Sequence, residues 1–413
     1  MASSAYLKAA THLWPTLQSF PSTFHAFFTS HPVLSLESWL TYYATVDPLH
    51  TAIVLCTISA TACYVMQQIT GNASQVDRIW TFAPVWYGAH FAVQPVLTFY
   101  GRKVFSSPDT SAHLQPRLAL MLGLQLLWSS RLSYNAWRRG FFKLSEEDYR
   151  WPELRKGMSR PLWEVFSLFF IAIAQNILLA MTALPQYLLL TTTFSALNQL
   201  SPKPSLQLTT ADYILASVFV FNLLLEFMSD HQQQCYQNFK RDMVNPMFGL
   251  PRERKGRDDF VMFDLFRKDT DVFNEDDKKR GFITKGLWSL ARHPNFACEQ
   301  MVWWLLFLFV PITFYHSISA PASSSLVDLL KAYHPLVATY AILSPVAMSI
   351  LFYASTDFTE KMSTSKYPLY KEYQKCVDSF NPLITGVKTL LLNVRGDGKK
   401  AWEGTWGKVE KKQ

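Results

Sequence analysis

The sequence has few of the features that mark soluble, secreted or metal-binding proteins. Charged residues make up only 17% of the 413 residues, whereas 49% are hydrophobic and 15% are aromatic, and this balance argues against one or two soluble domains. The five cysteines are scattered without a CxxC pair, so neither a disulfide framework nor a zinc site is predicted, and no metal is expected. The first residues also lack the basic segment and cleavage site of a signal peptide.

Long apolar runs are abundant instead. Several of them approach or exceed the roughly 18–20 residues that a helix needs to cross a bilayer. We therefore predict an all-α integral membrane protein, built as a bundle of about seven transmembrane helices with a cofactor pocket that faces the cytosol. The seven predicted spans cover about residues 49–69, 80–99, 118–137, 162–190, 211–228, 295–314 and 335–355. Within the fourth of these, Pro185 can kink the helix or end it early.

Three regions are predicted along the chain. Residues 1–48 contain many aromatic side chains and one lysine, which is typical of a segment that lies on the membrane interface. Residues 49–387 form the predicted transmembrane domain, which includes a charged cytosolic loop at residues 240–285. That loop is longer than an ordinary connection, and a lid and a partner site are both open as its role. Residues 388–413 form a basic C-terminal tail.

The distribution of the net charge of +8 predicts the orientation. Most Lys and Arg residues fall in the connections 70–79, 138–161 and 229–294 and in the tail, and the positive-inside rule places these in the cytosol. Positive charge confined to particular loops argues for membrane topology rather than for a nucleic-acid partner. We expect an endoplasmic reticulum membrane, and we discount the glycosylation sequon at Asn72 because it falls in a cytosolic connection.

The segment 286–304, GLWSLARHPNFACEQMVWW, brings polar groups to the start of a predicted span. Pro294 suits the first turn of a helix, and from there Asn295, Glu299 and Trp303 recur every four residues on one face. A carboxylate one turn into hydrocarbon costs about 2.5 kcal/mol or more. Two explanations remain open: a polar ligand pocket, or a structural salt bridge between Glu299 and Arg292.

Two other predicted spans carry polar faces. In the third span Arg131 lies inside the apolar run with Tyr134 close by, and arginine is suited to bidentate contacts with phosphate. The fifth span ends with Glu226, Asp230 and Gln233 on one face. Two acidic groups on one turn repel each other unless they share a cation, a proton or ligand donors such as ribose hydroxyls.

Four motifs carry a family resemblance that covers roughly residues 75–385. They are RHPNFxxE with a Trp four residues after the Glu, WxxRL ending in Arg131 and Leu132, ExxxDxQQ starting at Glu226, and DxxW starting at Asp77. Together they resemble the steroid 5-alpha-reductase-like membrane proteins (DUF1295, steroid 5-alpha reductase C-terminal domain). More distantly the chain is similar to sterol reductases and isoprenylcysteine carboxyl methyltransferases. One departure is Cys298, which stands where the family usually has glycine.

The resemblance implies NADPH as cofactor and assigns residues to its site. The implied cofactor-binding residues, including three from a terminal K…YxxY pattern, are Arg131, Glu226, Asp230, Gln233, Arg292, His293, Asn295, Glu299, Trp303, Lys361, Tyr370 and Tyr373. A reductase also needs a proton donor aimed at the developing enolate. Tyr134 and Asp77 are the candidates, Asp77 only if burial keeps it protonated. An ordinary charge at a helix N-terminus is the alternative for Asp77.

Three functions are compatible with these residues. The first is NADPH-dependent reduction of a carbon–carbon double bond conjugated to a carbonyl in a lipid- or steroid-like substrate. The second is S-adenosylmethionine-dependent methyl transfer of the isoprenylcysteine type. The third is a non-catalytic lipid- or sterol-binding protein that retains the fold.

Overall fold

The computed structural model describes residues 12–105, 115–196, 207–241, 273–314 and 339–409. These residues form helices and no strands, which confirms the predicted all-α class. Most of the predicted loop 240–285, its residues 242–272, lies outside the described part of the chain.

Two compact units share the helices. Unit 1 comprises Met1–Phe219 and Trp303–Met348, and unit 2 comprises Val220–Val302 and Ser349–Gln413. In chain order the helices are α1 Leu13–Ser30, α2 Leu36–Thr45, α3 Pro48–Thr70, α4 Gln75–Ile79, α5 Ala83–Phe105, α6 Pro116–Arg138, α7 Arg150–Lys156, α8 Arg160–Phe166, α9 Gln175–Met181, α10 Leu184–Ala196, α11 Thr210–Lys240, α12 Glu275–Arg280, α13 Pro294–Phe314, α14 Leu343–Lys366, α15 Tyr370–Cys376, α16 Pro382–Val394 and α17 Gly398–Trp406. A π-helical stretch, Ser167–Ala174, joins α8 to α9.

Five helical stretches in the described residues are long and apolar enough to cross a membrane, as expected for an integral membrane protein. They are Pro48–Thr70, Arg160–Met181, Thr210–Lys240, Pro294–Thr313 and Tyr340–Lys366. The predicted second and third spans are also helical, as α5 and α6 with 23 residues each. Polar residues such as Arg131 and Gln125 make α6 less apolar than these five, so the count of seven spans stays a prediction.

The fourth predicted span ends earlier than its apolar run suggests. The predicted apolar stretch 162–190, which Pro185 could kink or end early, is divided: the helix that starts at Arg160 stops at Met181, and a new helix, α10, begins at Leu184. Pro185 explains the break, since proline disrupts a helix interior but fits the first turn of a new helix. The start of α13 at Pro294 is confirmed.

The first and last described helices pack against other helices of their own units. In unit 1, α1 contacts α3, where Thr16 O lies 2.9 Å from His50 Nε2. In unit 2 the boundary predicted at residue 388 falls inside α16, and α17 joins the core of the unit. Ala401 of α17 is buried beside Tyr373, and Trp406 Nε1 donates to Thr284 O at 2.9 Å. The described part of the basic tail is therefore folded into unit 2.

Candidate functional site

An amide–carboxylate pair joins α11 to α13 in unit 2. Asn295 Nδ2 donates to Asp230 Oδ1 at 3.1 Å, and Asp230 is buried while Asn295 is half-buried. Asn295 Oδ1 is also buried, and no donor reaches it among the residues that the structure describes. A buried acceptor without a donor costs about 1–3 kcal/mol, so this oxygen is a candidate contact for a bound ligand.

The same face of α11 carries two further polar residues at helical spacing. Asn222 Nδ2 donates to Cys298 O on α13 at 2.8 Å, and Asp230 contacts Asn295 two turns later. Glu226 lies between these two on the same face of α11 and is buried. Cys298 thus contributes its backbone carbonyl to the contact between the two helices.

Glu299 of α13 and Gln233 of α11 continue the polar faces of their own helices. Glu299, one turn along α13 from Asn295, is buried. Gln233 Oε1 is buried, and within the described ranges it has no hydrogen-bond donor. Unit 2 thus brings together four of the predicted residues on two adjacent helices, with a fifth, Gln233, one turn from Asp230.

Arg292 and His293 form an ion-pair cluster with Glu360 of α14. Arg292 Nε and Nη2 donate to the two carboxylate oxygens at 2.7 and 2.8 Å, and His293 Nε2 lies 2.9 Å from Glu360 Oε1. Nη1 donates to the carbonyl of Val377. The bidentate partner of Arg292 is therefore Glu360, not Glu299 as the structural alternative held.

This cluster leaves Arg292 little freedom to bind a ligand. Each nitrogen of its guanidinium donates to a protein acceptor, including Ser379 Oγ at 2.6 Å from Nη2. Burial alone would lower the pKa of Arg292, but the hydrogen bonds and charge of Glu360 outweigh it and raise that pKa. The geometry favours a role for Arg292 in fixing the start of α13 rather than in contacting a ligand directly.

The turn before α13 depends on glycine. Gly286 has φ 64°, and a Cβ there would lie 2.5 Å from Nε2 of Gln232. Gln232 Oε1 accepts from Leu287 N at 2.9 Å, and Trp288 Nε1 donates to Ser229 O at 3.1 Å. A side chain at residue 286 would separate this turn from α11.

The terminal tyrosines lie in the core of unit 2. Tyr370 and Tyr373 are buried in one cluster with Phe282 and Val377, and the Tyr373 hydroxyl donates to the carbonyl of Trp288. Burial raises the pKa of Tyr370. Both side chains support the turn before α13, and neither presents an exposed hydroxyl.

Lys361 is placed differently from the other predicted residues. It is exposed on α14 and pairs with Asp357 at 2.6 Å. An open cleft of about 460 Å³ lies beside it, lined by Asp357, Glu360, Lys361, Thr364, Ser365, Lys371 and Gln374. The structure brings Lys361 near Glu360 but shows no contact between it and the Asp230–Asn295 pair.

In unit 1, Asp77 occupies a buried polar site. Trp151 Nε1 donates to Asp77 Oδ2 at 2.7 Å. Burial raises the pKa of Asp77, although the charge of Arg150 opposes the shift. Asp77 can act as a proton donor only if burial keeps its carboxyl protonated. A raised pKa is the direction of shift that this role requires.

The segment around Asp77 is held by residues 144–151, which include the sequence EDYR at residues 147–150, and the sequence patterns above did not predict this role. Asn72 Nδ2 donates to Leu144 O and Glu146 O at 3.0 and 2.9 Å, and Glu147 Oε1 accepts from Ala73 N at 2.8 Å. The Asn72 amide is thus buried and occupied, which agrees with discounting its sequon. The sequence did contain one indication of this role, because polar segments lie before α5 and after α6.

The remaining predicted residues of unit 1 lie on α6 and α13. Arg131 and Tyr134 are half-buried, and the Arg138 guanidinium lies 5.5 Å from the centre of the Tyr134 ring. Trp303 is fully buried against Trp128, with ring centres 5.0 Å apart. Its Nε1 has no acceptor in the described part of the chain. Trp303 is primarily a core residue of unit 1.

Comparison with known proteins places these residues within one region that matches a protein family. A family model described as "Protein of unknown function (DUF1295)" matches residues 63–377, a range that contains every predicted site residue. An uncharacterized protein of Schizosaccharomyces pombe (strain 972) is 31% identical over 345 residues, which cover 84% of this chain and 83% of the relative. No solved structure matches.

Proposed function

Because this chain belongs to the DUF1295 family of steroid 5-alpha-reductase-like membrane proteins, we propose that it is a membrane-bound, NADPH-dependent reductase. Its substrate is a steroid-, sterol- or other lipid-like molecule with a carbon–carbon double bond conjugated to a carbonyl. The observation that carries the proposal is the Asp230–Asn295 pair, in which a buried carboxylate orients an amide whose oxygen has no donor among the described residues.

The polar atoms of unit 2 fit the donor groups of NADPH. Asn295 Oδ1 and Gln233 Oε1 are buried acceptors without donors in the described ranges, and Asp230 adds a buried carboxylate nearby. The nicotinamide amide and the ribose hydroxyls are donors of the matching kind. Asn295, Gln233 and Asp230 would hold such groups, and NADPH when bound supplies the hydride.

The chain's own residues would prepare this site before the ligand arrives. Asp230 fixes the orientation of the Asn295 amide, so its oxygen points at one place without a cost of reorganisation. Arg292, through Glu360, fixes the first turn of α13 from which Asn295 projects. In unit 1, a carboxyl with a raised pKa, Asp77, is suited to give a proton to an enolate oxygen, and Tyr134 is the other proposed donor.

The first test is ligand binding by the detergent-purified protein. A ligand that binds only the native state raises the melting temperature, so we expect NADPH to raise it in the wild type. Asn295→Ala removes the oriented amide and should abolish this shift and the reductase activity. Gln300→Ala is the matched control, because it removes an amide of the same helix that donates to Phe296 O, and it should keep both.

The other outcomes identify the competing functions. Stabilisation by S-adenosylmethionine but not by NADPH would replace the reductase by a methyltransferase. Stabilisation by neither nucleotide, with retained binding of an enone lipid, would indicate a non-catalytic lipid-binding protein. An NADPH shift that survives Asn295→Ala would remove the Asp230–Asn295 pair from the proposed site.

A further inference from the structure

Helix α16 turns an apolar face outward. Six side chains of this face are 45–80% exposed, and they are Leu383, Ile384, Val387, Leu390, Leu391 and Val394. At 100° per residue they cover an arc of about 120°. A helix on the surface of a soluble protein would turn such a stripe toward the core, so the outward orientation requires an apolar environment outside the protein.

The opposite side of α16 is anchored to unit 2. Thr385 is buried, and its Oγ1 donates to Leu290 O at 2.7 Å and accepts from Asp378 N at 2.8 Å. Leu392 packs against the cluster that contains Tyr373. Because Thr385 and Leu392 hold this side, the apolar face cannot rotate inward while the helix stays docked.

The anchor places α16 at the point where a membrane span begins. Thr385 contacts Leu290, four residues before α13, and the intervening segment pairs with residues that precede α16. Arg292 N donates to Asp378 O at 2.8 Å, and His293 N donates to Ser379 O at 2.9 Å. The candidate span Pro294–Thr313 starts immediately after this pairing. With 13 residues, α16 is about 20 Å long and is too short to cross a bilayer.

Polar and basic residues border the apolar face. On one side, Thr389 and Asn393 are exposed polar residues, and Gly386 adds no apolar side chain. After the helix, Arg395, Lys399 and Lys400 are exposed. An apolar stripe with a polar flank and adjacent cations is the pattern of a helix that lies in the interface between headgroups and acyl chains.

From these observations we propose that α16 is an in-plane interfacial helix that binds the surface of the bilayer. Its apolar face enters the boundary of the acyl chains, and Arg395, Lys399 and Lys400 contact anionic lipid headgroups. The occupant of the exposed face is therefore lipid. This proposal is independent of the reductase activity, because it rests on the anchoring of α16 alone.

Site-directed spin labelling of the full chain in nanodiscs of phosphatidylcholine and phosphatidylserine tests the apolar contact. A nitroxide at Leu390→Cys should collide more often with oxygen, which concentrates in lipid, than with a water-soluble nickel chelate. The matched label at Asn393→Cys, on the polar face, should show the reverse. Unmutated protein treated with the label gives the background from native cysteines.

Two outcomes would overturn the proposal. Ready access of the nickel chelate to both labels would place the apolar face in water. Low access of both reagents to the label at Leu390→Cys would mean that protein covers the face, such as a second copy of the chain. Neither result depends on folding of a damaged variant, since both labelled positions are exposed.

The headgroup contact has its own test with the label at Val394→Cys. Replacing phosphatidylserine by phosphatidylcholine should lower the ratio of oxygen to nickel collisions, because the attraction of the cations for the surface is lost. In the Arg395→Gln, Lys399→Gln, Lys400→Gln background the ratio should no longer depend on the lipid. A ratio that never responds to phosphatidylserine would refute the headgroup contact.

Discussion

The Tyr367 hydroxyl illustrates how a single contact changes the chemistry of a residue. Lys240 Nζ donates to it at 2.8 Å and also donates to Gly281 O at 2.6 Å. The Tyr367 ring packs over Gly281, whose φ is 91°, and a Cβ at this glycine would collide with the ring. Glycine at residue 281 therefore permits the close approach of Tyr367.

This arrangement predicts that Tyr367 ionises at a lower pH than an ordinary tyrosine. Burial alone would raise the pKa of Tyr367, but the hydrogen bonds and charges of Lys240 and Lys366 outweigh it and lower the pKa below 10.0. Lys240→Met should therefore raise the pKa, and Lys361→Met, which removes an exposed lysine of the same helix as Lys366, should leave it unchanged. Tyrosinate absorbance measured against pH checks both, with Tyr367→Phe identifying the signal.

The sign of the linked stability follows from the same shift. Since the folded protein favours the ionised phenol, the contribution to the free energy of unfolding is fully present above the unfolded pKa of about 10. It is lost as the pH falls through the lower pKa of the folded state. If Tyr367→Phe leaves the earliest tyrosine titration step in place, the assignment to Tyr367 is wrong.

Residue patterns in the sequence predicted some residues of the candidate site but not the residues that hold them in place. The spacing of Asn295 and Glu299 predicted a polar face at the start of α13, because helical periodicity is local. The partner of Arg292, Glu360, lies 68 residues further along the chain, so no local pattern could identify it. For Trp303, the helical spacing predicted the site but not the packing of its indole against Trp128 in unit 1.

At the scale of elements, a buried ion pair joins the starts of α6 and α11. Arg117 Nε and Nη2 donate to the two carboxylate oxygens of Asp212, each at 2.7 Å. Thr209 adds hydrogen bonds from its N and Oγ1 to Asp212 Oδ2, both at 2.8 Å. The side chains of Arg117 and Asp212 are nearly inaccessible to solvent, so this is a buried ion pair.

Breaking this pair from one side should strongly destabilise unit 1. Asp212→Asn removes the charge of the carboxylate that accepts two hydrogen bonds from the buried Arg117, and we expect a loss of about 3–5 kcal/mol. Thermal unfolding of the purified protein measures it. Glu153→Gln breaks the exposed pair with Lys156 and serves as the control, with an expected loss of about 1 kcal/mol or less. Equal effects of the two substitutions would contradict the structural role of the buried pair.

Helices themselves were more predictable than their ends. Apolar runs predicted the start of α13 and the presence of α5 and α6, because burial in lipid or protein selects apolar residues over whole elements. Hydropathy did not place the stop at Met181, since the apolar run continues past it, whereas Pro185 indicated that the helix could end early. The role of EDYR in holding residues 72–78 was invisible for a different reason: it depends on pairing between segments about 70 residues apart.

At the scale of the whole molecule, topologies with five and with seven membrane-crossing helices differ in whether α5 and α6 cross. The two topologies place every described connection on the same side except the one between α5 and α6. If neither α5 nor α6 crosses, residue 117 lies on the side of the connection 71–82. If both cross, it lies on the side where α11 begins. The Arg117–Asp212 pair favours the second topology, because Asp212 is at the start of α11, a candidate span.

Labelling of single cysteines in sealed microsomes, whose cytosolic face is outward, decides between these topologies. With seven spans, Ser111→Cys, which lies outside the described residues, should react with an impermeant maleimide only after the membrane is permeabilised. Leu144→Cys, whose native side chain is exposed, should react in sealed microsomes under either topology and is the control. Reaction of Ser111→Cys in sealed microsomes would mean that α5 and α6 do not cross. That result would also conflict with the Arg117–Asp212 pair. Asp212 lies at the start of α11, and it cannot bind Arg117 if Arg117 lies on the opposite side of the bilayer.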